Sequence, residues 1–325
     1  MIEEILANLY KIEIPLPGIP LKSLNSYIIK APERDLIIDT GMDKEESMTA
    51  MQNALTRLHV DLRKTDFLIT HLHLDHLGLA LRLKTDSSRI FFSLLDAEQV
   101  GSPTEWDEMI QFALCHGFPK SELQNLLSCH PGYQFKQSRM QWRLDFDFLR
   151  EGQWITVGDY LFEVIETPGH SKGHMCLYEP YQKILISGDH LLKEITPTIQ
   201  SWSEKMDPLN EYLLSLNKIE SLDIDLVLPG HGVIFRDCRN RILELKSHHQ
   251  KRAEEILTLL KQGSQNAYHV ASQMTWDADY DLWDSFPVLQ RWFATGEAIA
   301  HLKYLEKKGL IHREIRNDTA EFSLI

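Results

Sequence analysis

Four potential metal ligands crowd into the six positions His71-Leu72-His73-Leu74-Asp75-His76. Neutral imidazole nitrogens and a carboxylate oxygen suit zinc, and also iron or manganese. In a loop that enters a helix, His71 and His73 point one way while Asp75 and His76 point another, so two neighbouring cations can be served. A run of solvated histidines at a helix start is the plain alternative, and this density of ligand types argues against it. Two such cations lower the pKa of a shared water toward neutrality and polarise an acyl or phosphoryl oxygen, so hydrolysis is the chemistry to expect.

Three later residues are weaker when read singly. His170 follows Pro168-Gly169, Asp189 follows Ser187-Gly188, and His231 lies between Pro229-Gly230 and Gly232. A histidine after Pro-Gly is more often an ordinary loop residue. The glycines mark tight turns, which is also what would aim an imidazole inward.

Together and in this order, the stretches resemble the HxHxDH, PGHxxGH, GD and GHG elements of the metallo-β-lactamase superfamily, and Asp39-Thr40-Gly41 resembles its early aspartate turn. The resemblance covers roughly residues 8–237. It implies that His71, His73 and His170 hold one metal and Asp75, His76 and His231 a second, with Asp189 bridging the pair. Two divalent ions are implied, zinc first, with iron or manganese as alternatives. A hydroxide shared by both metals would be the nucleophile, and Asp75 the catalytic residue that holds it and moves its proton. Asp39 and His174 would stand behind the ligands and orient them.

A bridging Asp189 is similar to the glyoxalase II, lactonase and ribonuclease branches rather than to true zinc β-lactamases. His73, where a flavodiiron-type protein has Glu, argues against an oxygen-reducing di-iron centre. With its C-terminal module the layout resembles the glyoxalase-II-like branch that includes β-lactamase-like protein 2, in which the module is winged-helix-like. The resemblance implies a hydrolase acting on a small thioester, ester or lactone. A ribonuclease whose C-terminal module binds nucleic acid, and an iron-dependent persulfide dioxygenase, are the alternatives.

Such ligands need loops carried over a sheet. Period-two alternation through Tyr10-Lys11-Ile12-Glu13-Ile14 and again through Asn25 to Ile29 predicts a hairpin. Short apolar runs, Leu36-Ile37-Ile38 and Phe67-Leu68-Ile69, predict buried strands that stop at Asp39 and at the histidine cluster. Further strands are expected at 154–157, 160–165, 175–178, 183–186 and 226–228. The expected architecture is an α/β (α+β) chain, a four-layered αββα sandwich over residues 1–237 interrupted by a helical lid at about 103–148. Residues 238–325 read as a small winged-helix-like domain of helices closed by a hairpin. In the lid, Trp106, Phe112, Phe118, Tyr133 and Trp142 suit an apolar acyl group or form the insertion's own core.

Composition narrows the partners. The 325 residues carry a net charge of -13, which disfavours nucleic acid. Lys303, Lys307, Lys308, Arg313 and Arg316 leave only a modest basic edge near the C-terminus, also readable as a solvated face. The four cysteines, Cys115, Cys129, Cys176 and Cys238, form no CxxC pair. Acidic Glu3 and Glu4 stand where a secretory signal carries basic residues, and no run is long enough to span a bilayer, so a cytoplasmic protein without a membrane partner is expected. A homodimer through the C-terminal domain fits the same reading.

Overall fold

The computed structural model describes residues 1–18, 21–102, 105–138, 145–277 and 282–325. Trp142 and positions 103–104, where the lid is expected to begin, lie outside them. The chain forms two compact units: Met1–Gly101 with Trp142–Pro197 and Ser215–Ile242, and Ser102–Gln141 with Thr198–Leu214 and Leu243–Ile325. Among the described residues no helix is long and apolar enough to cross a membrane.

The first unit is built on two sheets. One runs in chain order through β1 (Ile2–Leu6), β2 (Leu9–Pro15), β3 (Ser23–Ile29), β4 (Asp35–Ile38), β5 (Thr65–Leu68), β6 (Ile90–Ser93) and β7 (Asp147–Leu149). Its first strands pair antiparallel, with Leu9 opposite Ile29, as the alternating pattern requires. From β4 onward the pairing is parallel. Strands β4 and β5 are buried on both faces, which is why they read as continuous apolar runs. The helical pattern of the insertion does not reach Phe148. Residues 147–149 make a three-residue edge strand in register with Phe91 to Ser93, too short for alternation to announce it.

The other sheet holds β8 (Trp154–Val157), β9 (Tyr160–Glu166), β10 (Met175–Glu179), β11 (Ile184–Gly188) and β12 (Leu226–Pro229), with β11 and β12 parallel. The sheets share one core, in which Tyr27, Ile29, Ile38 and Leu68 meet Val164, Met175, Leu177, Ile186 and Leu228. The far face of the first sheet is covered by α1 (Glu45–Arg57), whose Met48, Met51, Ala54 and Leu55 join Ile14, Ile28, Ile37 and Phe67. Spacings of three and four put those four residues on one helical stripe. Short helices α2 (Leu74–Leu77), α3 (Ala80–Leu83) and α4 (Leu94–Gly101) follow β5 and β6.

The second unit contains α5 (Glu105–Cys115), α6 (Leu123–Cys129) and α7 (Pro131–Ser138), then part of α8 (Pro208–Glu220) and most of α9 (Cys238–Leu259). It closes with α10 (Ala267–Gln273), α11 (Val288–Lys307) and the hairpin β13 (Ile311–Arg316) and β14 (Thr319–Leu324). Asn317 and Asp318 turn the hairpin with positive φ of 49° and 63°, a conformation Asn and Asp tolerate. Ile256, Val270, Ile299, Leu302 and Phe322 form one core. Ala113, Phe118 and Leu126 pack on Trp292 in another. Trp202 stacks on Trp292 at 3.8 Å and 12°.

Candidate metal centre

Strand ends in the first unit supply the candidate ligands. β5 runs out through Ile69 into Thr70 and His71, β11 into Asp189, β12 into His231, and the turn between β9 and β10 carries His170. This is the carboxyl-end loop position that α/β sheets use for chemistry.

His71 Nε2 lies 2.9 Å from His73 Nδ1, and His170 Nε2 lies 3.0 Å from the same atom. Zinc-nitrogen bonds of about 2.0–2.1 Å place tetrahedral ligand atoms roughly 3.3 Å apart, so the three nitrogens fit one cation. Thr70 Oγ1 donates to Asp39 Oδ2 at 2.8 Å, so His71 Nδ1, 3.1 Å away, is the donor to that hydroxyl and Nε2 keeps its lone pair inward. Burial first, then the neighbouring imidazoles, holds His71 well below the usual histidine range and His73 at about 3. Both are therefore neutral, the form that binds metal.

Asp75, His76 and His231 form a second set, with ligand atoms all within 4.8 Å of one another. His231 Nε2 is 3.2 Å and His76 Nε2 3.9 Å from Asp75 Oδ2. Asp189 faces both sets: Oδ2 is 3.5 Å from His170 Nε2, while Oδ1 is 3.5 Å from His76 Nε2 and 3.6 Å from His231 Nε2. Near as they are, His76 Nε2, His231 Nε2 and Asp189 Oδ1 are buried without a hydrogen bond. Leaving such atoms unsatisfied costs about 1–3 kcal/mol each, and a cation among them would remove the deficit. Their outer nitrogens explain the aim. His76 Nδ1 donates to Asp39 Oδ2 at 2.7 Å and His231 Nδ1 to the Ser23 carbonyl at 2.7 Å, so in each ring Nε2 is the nitrogen left for a cation to take in place of a proton.

The charge balance asks for cations. Burial would raise the Asp75 carboxyl, yet His76 and His231 hold it at about 2; Asp189 too stays well below the ordinary carboxylate range despite burial. Burial pulls His76 down, but Asp39, Asp189 and Asp75 more than reverse it, and His231 is raised by Asp189 and Asp75. Protons there stand in for the positive charge that a divalent ion would bring.

The two residues expected behind the ligands both touch them or their backbone. Asp39, in the left-handed region at φ 55°, accepts from Thr70 N at 2.8 Å as well as from His76. His174 Nε2 accepts from the Asp189 amide at 3.1 Å, which leaves its Nδ1–H for Thr167 Oγ1 at 2.8 Å. His190 is packed inside and pushed by burial to about 3.

Sequence reading misses three residues that hold the loops. Asn25 donates to the carbonyls of Pro229 and Gly232 at 3.0 and 2.9 Å, and Tyr27 Oη to Pro229 at 2.8 Å, fixing the His231 turn. The polar pair Asn25-Ser26, set among the apolar residues Leu24, Tyr27, Ile28 and Ile29, is the signal available. Asp96, fully buried in α4, accepts from Leu72 N, Ser171 Oγ and Gly173 N at 2.9, 2.8 and 2.6 Å. Burial raises it to about 6 against those hydrogen bonds. Gly169-His170-Ser171-Lys172-Gly173 also has the Gly-x-Ser-x-Gly spacing of a nucleophile elbow, but Ser171 gives its hydroxyl hydrogen to Asp96 and not to a histidine base.

The insertion's aromatics are largely engaged in the second unit's core: Phe118 meets Trp292 edge-on at 5.2 Å, and Trp106 meets His130 and Tyr133. Phe112 packs into the neighbouring core.

A family model described as the metallo-beta-lactamase superfamily matches residues 20–231, and one described as the metallo-beta-lactamase-like C-terminal domain matches 253–323. A beta-lactamase-like protein 2 homolog of Caenorhabditis elegans is 24% identical over 245 residues, 74% of this chain and 67% of that protein. The acyl-coenzyme A thioesterase MBLAC2 of Bos taurus is 24% identical over 235 residues, 70% of this chain and 79% of the relative. The crystal structure of a beta-lactamase domain protein from Burkholderia ambifaria superposes with a TM-score of 0.86 at 26% identity, covering 100% of this chain and 94% of the other.

Proposed function

The chain belongs to the metallo-β-lactamase superfamily and has its mixed α/β fold, and from that premise we propose that it is a dinuclear metal-dependent hydrolase of small thioesters. The observation that carries the reading is Asp189, whose two oxygens face two separate ligand sets at 3.5–3.6 Å. His71, His73 and His170 would hold one cation, Asp75, His76 and His231 the other, with zinc the first choice for such donors. When bound, the cations supply a water deprotonated near neutral pH and an electrophile for the acyl oxygen.

The chain's own residues do the rest. Asp75, ionised and only partly exposed, accepts the hydrogen bond of the attacking water and keeps it oriented. Asp39 and the Ser23 carbonyl keep His76 and His231 in one tautomer. With the imidazoles engaged by cations, Asp75 and Asp189 would face the cations' positive charge and stay ionised, which suits a leaving group that departs as an anion. A thiolate, with a pKa of about 8.5, leaves in that form. An alkoxide, the conjugate base of a far weaker acid, leaves less readily, which supports a thioester over a simple alkyl ester, in line with the name of the Bos taurus relative. Cys115, Cys129, Cys176 and Cys238 are all free thiols, which fits a cytoplasmic setting.

The test is thiol release from acyl-coenzyme A by zinc-loaded protein, beside an aryl ester, a lactone and single-stranded RNA. Turnover of the thioester that disappears in Asp189→Ala is expected. Metal-loaded protein that leaves thioesters intact but cleaves RNA would overturn the reading.

A further inference from the structure

We propose that Asp96 is a positioning residue that locks the first ligand set, His71, His73 and His170, into the geometry of one cation site. The inference rests on the metal-centre reading above and goes beyond it to a residue outside every ligand motif.

The three nitrogens of this set come from two loops distant in sequence, His71 and His73 from one, His170 from the other. For all three to meet, the loops must be held to each other. Asp96 does this with a single carboxylate. Oδ2 accepts from the amide of Leu72, the residue between His71 and His73, and from the hydroxyl of Ser171, the residue after His170. Oδ1 accepts from the amide of Gly173. The bonds span 24, 75 and 77 positions of sequence, so no local turn could replace them.

The surroundings leave the carboxylate little choice of position. Asp96 sits in the first turn of α4, where the helix N-terminus favours a negative side chain. Its neighbour Leu95 is anchored by the hydrogen bond its backbone N–H donates to Ser93 Oγ at 3.2 Å. Opposite, a β-carbon at Gly173 would come within 2.1 Å of Ser93 Oγ and 2.8 Å of the Asp96 amide, so the loop lies directly against the helix start. A buried carboxylate is tolerated only where donors surround it, and these donors all belong to the two histidine loops. Among the described residues no hydrogen bond joins Asp96 to Asp75, His76, His231 or the amides beside them, and Asp39, Asn25 and Tyr27 hold that set in place. The effect of Asp96 is therefore specific to one cation of the two.

Asn at position 96 keeps the size but turns one acceptor into a donor, which must face the Leu72 amide or the Gly173 amide. Ser171→Ala removes one of the three bonds and little else. The experiment strips the full-length protein with a chelator and titrates zinc against a chromophoric competitor, with His73→Ala marking the signal of the first set. Asp96→Asn is expected to weaken that same class of site roughly 10–100-fold while the other keeps wild-type affinity. Ser171→Ala should show a smaller loss at the same site. Cobalt in place of zinc should give a changed visible absorption spectrum in Asp96→Asn, a readout that a purely scaffolding role would not move. If Asp96→Asn does not fold, Ser171→Ala decides alone. Wild-type affinity at both sites in the folded variants overturns the proposal, as does an equal loss at both sites. A wild-type chain that binds no zinc would overturn the metal-centre reading and this proposal with it, whereas two tight sites in wild type and in both variants overturn this proposal only.

Discussion

Gly230 lies against Asp189 so closely that a β-carbon there would stand 2.6 Å from Asp189 Oδ1 and 2.9 Å from His76 Cε1. The glycine before His231 thus does more than turn the chain: its missing side chain is the space in which the carboxylate faces both ligand sets. Gly230→Ala is expected to push Asp189 Oδ1 off the second set. Elemental analysis should then find the zinc content falling from two per chain toward one, with thioester turnover down at least about 100-fold, an effect of about 3 kcal/mol on the barrier. Two tightly held zincs in a folded Gly230→Ala would show that Asp189 does not need this space.

Asp39 makes the tautomer of His76 and also receives Thr70. In Asp39→Asn the amide has one acceptor oxygen for three donors: with its nitrogen at the Oδ1 position the Thr70 amide loses its partner, and with it at the Oδ2 position both Thr70 Oγ1 and His76 Nδ1 do. Affinity for the second cation should drop roughly 10–100-fold, with the first less affected because its ligands lean on Thr70 only through His71. Zinc competition on the metal-free chain measures this, and unchanged affinity at both sites would rule the role out.

The helical insertion was open to two readings from its aromatics, and Trp292 explains why. Phe118, Ala113 and Leu126 bury themselves against Trp292, which is fully buried on α11, and Trp202 stacks on the same ring beside Gly296. Trp292→Ala should cost about 3–5 kcal/mol of stability in the second unit. Limited proteolysis should then cut between residues 105 and 138 at protease levels that leave the wild type whole. A variant as resistant as wild type would mean that the insertion does not depend on this core.

These particulars show where sequence was readable. His71 to His76 were legible because four ligand types crowd one strand end, where no packing role demands them. His170, Asp189 and His231 were legible only as a series, since each alone is an ordinary turn residue. Asp96, Asn25 and Tyr27 were not, because their partners lie 24 to 207 positions away and nothing local marks an aspartate or asparagine as a tie between loops. Strands β1, β6 and β7 escaped for a related reason: β1 and β7 are edge strands, short or half-exposed, that need no clean alternation, and β6 has only four residues in which to show a pattern. Aromatics of an amphipathic insertion look the same whether they face a ligand or another helix, so Phe118 could be placed only by finding Trp292.

A pH effect independent of metal follows from two buried histidines of the second unit. His301 Nδ1–H donates to the Glu297 carbonyl at 2.9 Å, so its Nε2 must accept from His249 Nδ1–H at 3.2 Å. Protonating His301 would set two N–H donors against each other inside the core. Burial accordingly pushes His301 down to about 4 and His249 well below its usual range, where His301, His248 and Arg252 add to the effect. In the unfolded chain both titrate near 6.5, so below that pH the unfolded state binds more protons than the folded one, and stability falls as pH falls. The loss begins near pH 6.5 and for His301 approaches about 3 kcal/mol by pH 4. Chemical unfolding of the chelator-treated protein, followed by tryptophan fluorescence at pH 7 and pH 5, should give a clearly lower midpoint at pH 5. His301→Gln cannot take up the proton and should show a flatter dependence from a lower starting stability. A pH dependence in His301→Gln as steep as that of the wild type would mean that the His249–His301 pair carries no such penalty.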